Sequence, residues 1–233
     1  MLLNAYAMGV FPMAESRHAQ KIGWYDPDMR GVFMLDDFYV PRRLRRTVLQ
    51  RVYTVTVDQD FHGVMQACAN ARRDTWINDT IIDLYTRTHD MGFAHSVEAR
   101  DAAGDLVGGL YGISLGGAFF GESMFSTARD ASKVALVHLA ARLKHRGFSL
   151  LDAQFVNPHL LQFGCIEISR AEYHVRLARA LEQNVTFRDG YSAAGASAGL
   201  SSGAALGADS DVKSSDFAVV ADFLQSMTQT AMI

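Results

Sequence analysis

Three polar side chains stand where an apolar pattern would not put them. Glu122 interrupts FFGESMFS (119–126), and Asp152 and Gln154 interrupt LLDAQ (150–154). Strand alternation places Asp152 and Gln154 on one face, about 7 Å apart. If the two segments are neighbouring strands, two carboxylates and an amide converge at one opening. A carboxylate and an amide so placed can take up a proton and orient a polar group. A buried acid is costly unless paired, so the set needs a reason to exist. A hydrogen-bond network closing a strand end is the other reading, and the residues alone leave both open. Trp24 and Trp76 are equally ambiguous: each can fill the core or offer a flat face to a ligand. His95 and Glu98 invite a metal, but H-x-x-E on a strand puts them on opposite faces and no third ligand has suitable spacing, so no metal is expected. His159 reads as a base or as a loop cap. There is no G-x-S-x-G elbow and no Ser/His/Asp order, which argues against an acyl-enzyme hydrolase.

The elements that must position these residues are legible around them. Leu106–Leu115 and Ala118–Phe125 read as strands joined by a hairpin at Gly116 and Gly117. A helix is predicted from about Ala131 to Arg146, with Asp130 or Ser132 as N-cap and Gly147 as its stop. A third strand, Phe148–Gln154, follows. Upstream, residues 1–35 read as a short helix and a Pro/Gly-punctuated loop, 41–51 as a basic helix, 54–61 as a strand, 61–72 and 80–91 as helices, and 93–109 as strand, turn and strand. Downstream come a loop at Pro158 and His159, a short segment at Cys165–Ser169 and a further helix. Gly190–Asp211 is Ala/Gly/Ser-rich and reads as a flexible linker. Ser215–Met227 can form a short amphipathic helix that docks on the body or hangs as a dispensable tail.

At 233 residues, with 49% hydrophobic and 20% charged residues, the chain suits a soluble globular protein with a large core. No apolar run is long enough for a membrane span, and the N-terminus lacks a basic start. Two distant cysteines, Cys68 and Cys165, make no disulfide framework. A cytoplasmic protein is expected. The net charge of −3 excludes coating of nucleic acid by bulk electrostatics, though not a small footprint on an RNA end. Positive charge is bunched at Arg42, Arg43, Arg45, Arg46 and Arg51, whose plain reading is a solvated helix face.

Strand, loop, helix and strand over 118–154 look like the central unit of the GNAT acyltransferase fold. Acetyl-CoA enzymes of that fold carry a Gly-rich loop before the helix, whose backbone N–H groups cradle pyrophosphate. The loop here, STARDASK, has no glycine, and no cofactor is expected. A wider set of motifs occurs in one order: AYAMGVFPM (5–13), WYDPDMRGV (24–32), TWI (75–77), GFAHSVE (92–98), LVGGLYG (106–112), FFGESMFS (119–126), ASKVAL (131–136), LLDAQ (150–154), and His159, Leu160, Phe163 and Gly164. Together, over about residues 2–175, they closely resemble the leucyl/phenylalanyl-tRNA–protein transferase family. The chain departs from the family at Tyr25-Asp26 and at Leu161–Phe163, and lacks its upstream GGDL-type segment, so a short N-terminus is expected.

The resemblance implies an α/β (α+β) fold: a smaller N-terminal α/β part (1–60), a GNAT-like catalytic domain (61–189), the linker (190–211) and the tail (212–233). The linker and tail lie outside the resemblance and are read from composition alone. The resemblance further implies an aminoacyltransferase that moves Leu, Phe or, less well, Met from charged tRNA to the α-amino group of proteins beginning with Arg or Lys, marking them for degradation. Leu110, Phe119, Leu136, Leu139 and Leu151 would line the donor side-chain pocket. Trp24 and Trp76 would flank the terminal adenosine and aminoacyl ester, and the arginines 42, 43, 45 and 46 would meet acceptor-stem phosphates. Gln154 would orient the amine, Asp152 would hold Gln154 and draw off positive charge, and Glu122 would serve the basic acceptor residue or the same network. A monomer is expected. A noncatalytic binder of charged tRNA and an N-acyltransferase with another donor are the competing readings.

Overall fold

In the computed structural model of the chain, residues 1–19, 21–72, 74–188 and 209–230 are described, with the side chains of the last segment described over 216–227. Seven strands form one mixed sheet: β3 (Met29–Phe33), β4 (Thr54–Val57), β5 (Ala94–Arg100), β6 (Leu106–Leu115), β7 (Ala118–Ser126), β8 (Leu150–Gln154) and β9 (Ile166–Ser169). Their order is β4-β5-β6-β7-β8-β3-β9. Every pairing is antiparallel except β7 with β8, which the crossover helix α5 (Ala131–His145) makes parallel. A separate two-stranded sheet pairs β1 (Phe11–Ala14) with β2 (Ile22–Tyr25).

Helices cover both faces. On one lie α2 (Arg42–Leu49), α5 and α8 (Asp209–Thr230), which share a core with Leu110, Phe119 and Leu151. The other carries α1 (Leu2–Ala7), α3 (Phe61–Asn70), α4 (Asp79–Asp90) and α7 (Arg170–Leu181), packed on Tyr111, Ile113 and Phe120. The sequence pattern explains the division. In α4, Ile81, Ile82, Tyr85 and Thr88 are buried, a single helical stripe. In α5, apolar residues on nearly every side are buried, as a helix wedged between sheet, α2 and α8 requires. Asp60, Asn78 and Ser169 cap α3, α4 and α7 by accepting from backbone N–H groups three residues on.

The hairpin and the helix stop fall where the glycines put them: Gly116 (φ +54°) turns β6 into β7, and Gly147 (φ +78°) ends α5. The N-cap expectation is only half met. Asp130 sits at the cap position but in the left-handed region (φ 61°), and its side chain caps nothing. Instead Ser126 Oγ accepts from the Ser132 N–H at 3.2 Å, while Asp130 pairs with Lys133.

Three other expectations change. Residues 11–33 are not a loop but the β1–β2 hairpin followed by β3, a strand inserted between β8 and β9. The sheet therefore runs across the boundary drawn at residue 60, because β3 and β4 belong to it. The stretch at Pro158 and His159 is a short helix, α6 (Pro158–Leu161), capped by Asn157. The terminal helix is longer than expected and is no hanging tail: Val220, Phe223 and Leu224 are buried against α5, and Arg142 holds Asp216 at 2.9 Å. Of the linker expected at 190–211, residues 190–208 lie outside the described residues.

Candidate active site

Strands β7 and β8 pair only from Ala118–Leu150 to Phe120–Asp152, and then diverge. A cleft of about 310 Å³ opens there, lined by residues from both faces of the sheet. Leu110, Leu136, Leu139 and Leu151 line it from the α5 side, and Phe33, Met124, Phe155 and Leu160 extend this apolar wall. Trp76 and Arg72, from the turn between α3 and α4, line it from the other side with Tyr111 and Ser123. Phe11, Pro12 and Met13 of β1 add a lip. Glu122, Asp152 and Gln154 lie at the point of divergence.

The three polar residues do converge, and Glu122 and Asp152 are held by partners the sequence reading missed. Glu122 accepts from the Tyr6 hydroxyl (2.6 Å), the Tyr85 hydroxyl (2.9 Å) and the Gln154 side-chain amide (3.3 Å). The two tyrosine hydroxyls also touch each other. Burial pushes the Glu122 carboxyl up to about 7, Asp152 adds to the rise, and the tyrosine hydrogen bonds oppose it. Burial and the Glu122 charge raise both tyrosines well above the ordinary phenol range, so they remain donors.

Asp152 is fully buried and its charge is matched by Arg30. Arg30 Nε lies 3.0 Å from Oδ1, and Nη2 lies 2.7 Å from Oδ2. The Tyr173 hydroxyl donates to Oδ2 at 2.8 Å, and Arg30 Nη1 donates to the Gly9 carbonyl at 3.0 Å. The guanidinium is clamped between Phe11 (4.5 Å) and Tyr173 (4.3 Å). The remaining hydrogen bond of Asp152 goes to the backbone N–H of Gln154 at 2.8 Å. Gln154 sits in the left-handed region (φ 54°), a strained conformation for a side chain with a Cβ, and that hydrogen bond holds it there. Asp152 thus anchors Gln154 by its main chain, and Arg30 satisfies its charge.

The cleft gathers Glu122, Asp152, Gln154, Trp76, Leu110, Leu136, Leu139 and Leu151. It does not gather the rest. Phe119 is fully buried behind the cleft, stacked on Phe187 at 5.2 Å. It shares the α5-side core with Leu110 and Leu151 but is covered by Phe187, so it supports the pocket instead of lining it. Trp24 is 40% exposed on β2, opposite Pro12, and outside the lining. Arg42, Arg43 and Arg46 lie on the outer side of α2 and Arg45 is half-buried, with Leu44 and Val48 buried beneath them, and none lines the cleft.

His95 and Glu98 serve structure. His95 Nδ1 lies 2.8 Å from Asp58, and Glu98 accepts from Ser96 and Thr56. Among the described residues no group of three or more His, Cys, Asp or Glu could hold a metal ion. Burial pushes both thiols, Cys68 and Cys165, up to about 12, which makes them poor nucleophiles. His159 Nε2 is buried without a hydrogen-bond partner among the described residues, and it lies outside the cleft lining. Arg30 was findable: a lone cation in the apolar run MRGVF wants a buried acid. Tyr6 and Tyr85 carried no such signal.

No described helix is long and apolar enough to cross a membrane. The family model described as leucyl/phenylalanyl-tRNA protein transferase matches residues 32–178, and the model of that family's N-terminal domain matches 1–28. The leucyl/phenylalanyl-tRNA–protein transferase of Maricaulis maris is 60% identical over 183 residues, 77% of this chain and 84% of the relative. That of Hyphomonas neptunium is 58% identical over 193 residues, 81% and 74%. A solved structure of L-PGS from Bacillus licheniformis superimposes with a TM-score of 0.42 at 13% identity, covering 67% of this chain and 65% of that one. With the family's models covering both the hairpin that lips the cleft and the sheet that forms it, the chain belongs to the leucyl/phenylalanyl-tRNA–protein transferase family, an aminoacyltransferase family.

Proposed function

We propose that this protein transfers leucine, phenylalanine or, less well, methionine from charged tRNA to the α-amino group of proteins beginning with Arg or Lys, and that the new N-terminus marks them for degradation. The observation that carries this reading is the cleft itself. An aliphatic wall suited to a leucine-sized side chain faces a carboxyl poised near neutrality and an amide fixed beside it.

The donor ester is already activated, so the step is an aminolysis. The acceptor amine attacks the ester carbonyl carbon, the C–N bond forms, and the C–O bond to the terminal ribose breaks. An α-amino group has a pKa of about 8, so an appreciable fraction is neutral at pH 7. Attack leaves a proton on nitrogen. Glu122, with a carboxyl near 7, takes it up and returns it to the departing ribose oxygen. Gln154 donates its amide to Glu122, which leaves its carbonyl oxygen to accept from the amine and aim it. Asp152 positions Gln154 and does not itself exchange protons, because Arg30 and Tyr173 occupy its oxygens. Trp76 stacks on the RNA end, Trp24 meets it from the neighbouring hairpin, and the arginines of α2 hold phosphates.

The direct test is incubation of the protein with leucyl-tRNA and two peptides that begin with Arg and with Ala. Leucine should appear on the Arg peptide alone. Retention of charged tRNA with no product would make the protein a binder, and product only with a different acyl donor would make it another N-acyltransferase.

A further inference from the structure

The wall of the cleft that carries Trp76 also carries a cation. Among the described residues, Arg72 is the only basic side chain lining the cleft, and it stands four positions before Trp76 in the turn between α3 and α4. It is exposed, so a molecule entering from solvent meets it directly. Its charge acts on the Cys68 thiol, which itself bonds Ser123 of the lining, so the guanidinium sits on the α3 side of the opening. Among the described residues it makes no ion pair and no hydrogen bond.

A second cation meets it from the lip. The turn between β1 and β2 is pinned to this same junction from two sides. Arg17 donates to the Ala69 carbonyl in the last turn of α3, and the Asn78 side chain, at the start of α4, donates to the Ala19 carbonyl. Two arginines from distant parts of the chain thus gather at one edge of the cleft. A cation just past a helix C-terminus also complements the helix dipole, which is the plain role open to Arg72.

The donor's chemistry says what would come to this edge. The terminal ribose of the tRNA has three ways out. Its acylated hydroxyl goes to Glu122 and Gln154, its base goes to Trp76, and its 5′ carbon carries the phosphodiester that joins the rest of the RNA. That phosphate stays within one nucleotide of the base, so it passes the wall beside Trp76. It also approaches Glu122, whose carboxyl near neutrality repels it in its charged form. A planar fork of N–H donors beside the stacked base offsets that repulsion and fits phosphate oxygens.

We propose that Arg72 is a positioning residue for the donor: its guanidinium binds the phosphate on the 5′ side of the terminal adenosine, with Arg17 adding positive charge at the same lip. The inference rests on the transferase reading above and adds to it the edge over which the RNA strand enters. The arginines of α2 line no part of the cleft, so they are left to phosphates further along the strand.

The test compares full-length wild type with Arg72→Ala and Arg72→Lys in single-turnover transfer to an Arg-initiated peptide, at subsaturating donor. One donor is leucine esterified to adenosine, and the other is leucine esterified to adenosine 5′-phosphate. At low salt the wild type should use the phosphorylated donor about fivefold better or more, the scale of a charge-assisted contact at an exposed site. That preference should vanish in Arg72→Ala, persist in part in Arg72→Lys, and shrink in the wild type as salt rises. The nucleoside donor, which lacks the contact, should be used alike by all three. With leucyl-tRNA, Arg72→Ala should flatten the log–log salt dependence of binding by about 0.7. A wild type indifferent to the phosphate overturns the proposal, as does a preference that survives unchanged in Arg72→Ala. An equal loss on both donors also overturns it and puts Arg72 on the base or the shape of the wall. Each of these results leaves transfer from leucyl-tRNA by the wild type intact. A wild type that transfers leucine from no donor, leucyl-tRNA included, removes the transferase reading and this inference with it.

Discussion

At the scale of single residues, Glu122, half-buried at the cleft, and Asp152, fully buried, are carboxyls with different tasks, and their partners decide which. Glu122 has only neutral donors around it, so burial keeps its proton affinity high. Asp152 has a guanidinium within 2.7 Å. Single-turnover transfer should therefore rise with pH through about 7 in the wild type. Glu122→Gln should erase that limb and slow the reaction about 10²–10⁴-fold. An unchanged profile would send the proton by another route, such as the tRNA's own terminal hydroxyl. The same raised carboxyl has a signature in stability. Its folded value, about 7, lies above the ordinary 4.5, so the native state binds the proton more tightly than the unfolded chain. Its contribution is fully present below pH 4.5 and lost as pH rises through about 7, and denaturant titrations of Glu122→Gln should show that fall removed.

Asp152→Asn tests the opposite kind of acid. Leaving Arg30 buried without its counter-charge should cost about 3–5 kcal/mol of stability, read as a lower denaturation midpoint. Gln154→Ala should leave the midpoint nearly alone and slow transfer. A double mutant losing less rate than the two single losses combined would mark Asp152 and Gln154 as one unit. A stable Asp152→Asn protein would mean that the Arg30 pair is dispensable to the fold.

Among the elements, α8 and α2 carry the sharpest expectations. Helix α8 lies beyond the residues matched by the family models, yet it buries Val220, Phe223 and Leu224 on α5. Each such side chain contributes about 1.5–3 kcal/mol before ordering costs. Deleting residues 209–233 should lower the unfolding midpoint, while donor binding persists at low temperature because none of the described side chains of α8 lines the cleft. A truncated protein as stable as the full chain would return α8 to the role of a tail. Helix α2 presents Arg42, Arg43 and Arg46 outward. If they hold phosphates, each Arg→Ala change should flatten the log–log salt dependence of tRNA binding by about 0.7–0.9, equally for all donors. Slopes that stay the same would leave these arginines as a solvated face.

For the whole molecule, the telling fact is that β3 lies inside the sheet, between β8 and β9. We predict that the catalytic region cannot be cut free of what precedes it. A fragment spanning 61–189 would leave β8 and β9 without the strand that joins them, and Asp152 without Arg30. That fragment should be unfolded or aggregated by circular dichroism and size exclusion, and a folded monomer would show that 61–189 is a domain of its own.

What the sequence by itself determined is local. Alternation located β6, β7 and β8, helical periodicity located α5, and Gly116 and Gly147 placed their turns, because backbone preferences and one-sided burial leave periods of two and 3.6 residues. Polar interruptions of those periods exposed Glu122, Asp152 and Gln154 before any contact was known. Tertiary structure decided what those residues are. The Arg30–Asp152 pair spans 122 positions, and Tyr6 reaches Glu122 across 116. No period links residues so far apart, and only the sheet order brings them together. Likewise Phe119 and Leu151 sit opposite each other on β7 and β8 and read alike as inward-facing positions, but Phe187 stacks on the first while the second lines the cleft. A strand's faces are written in its own residues; which face meets a ligand depends on where its neighbour turns away.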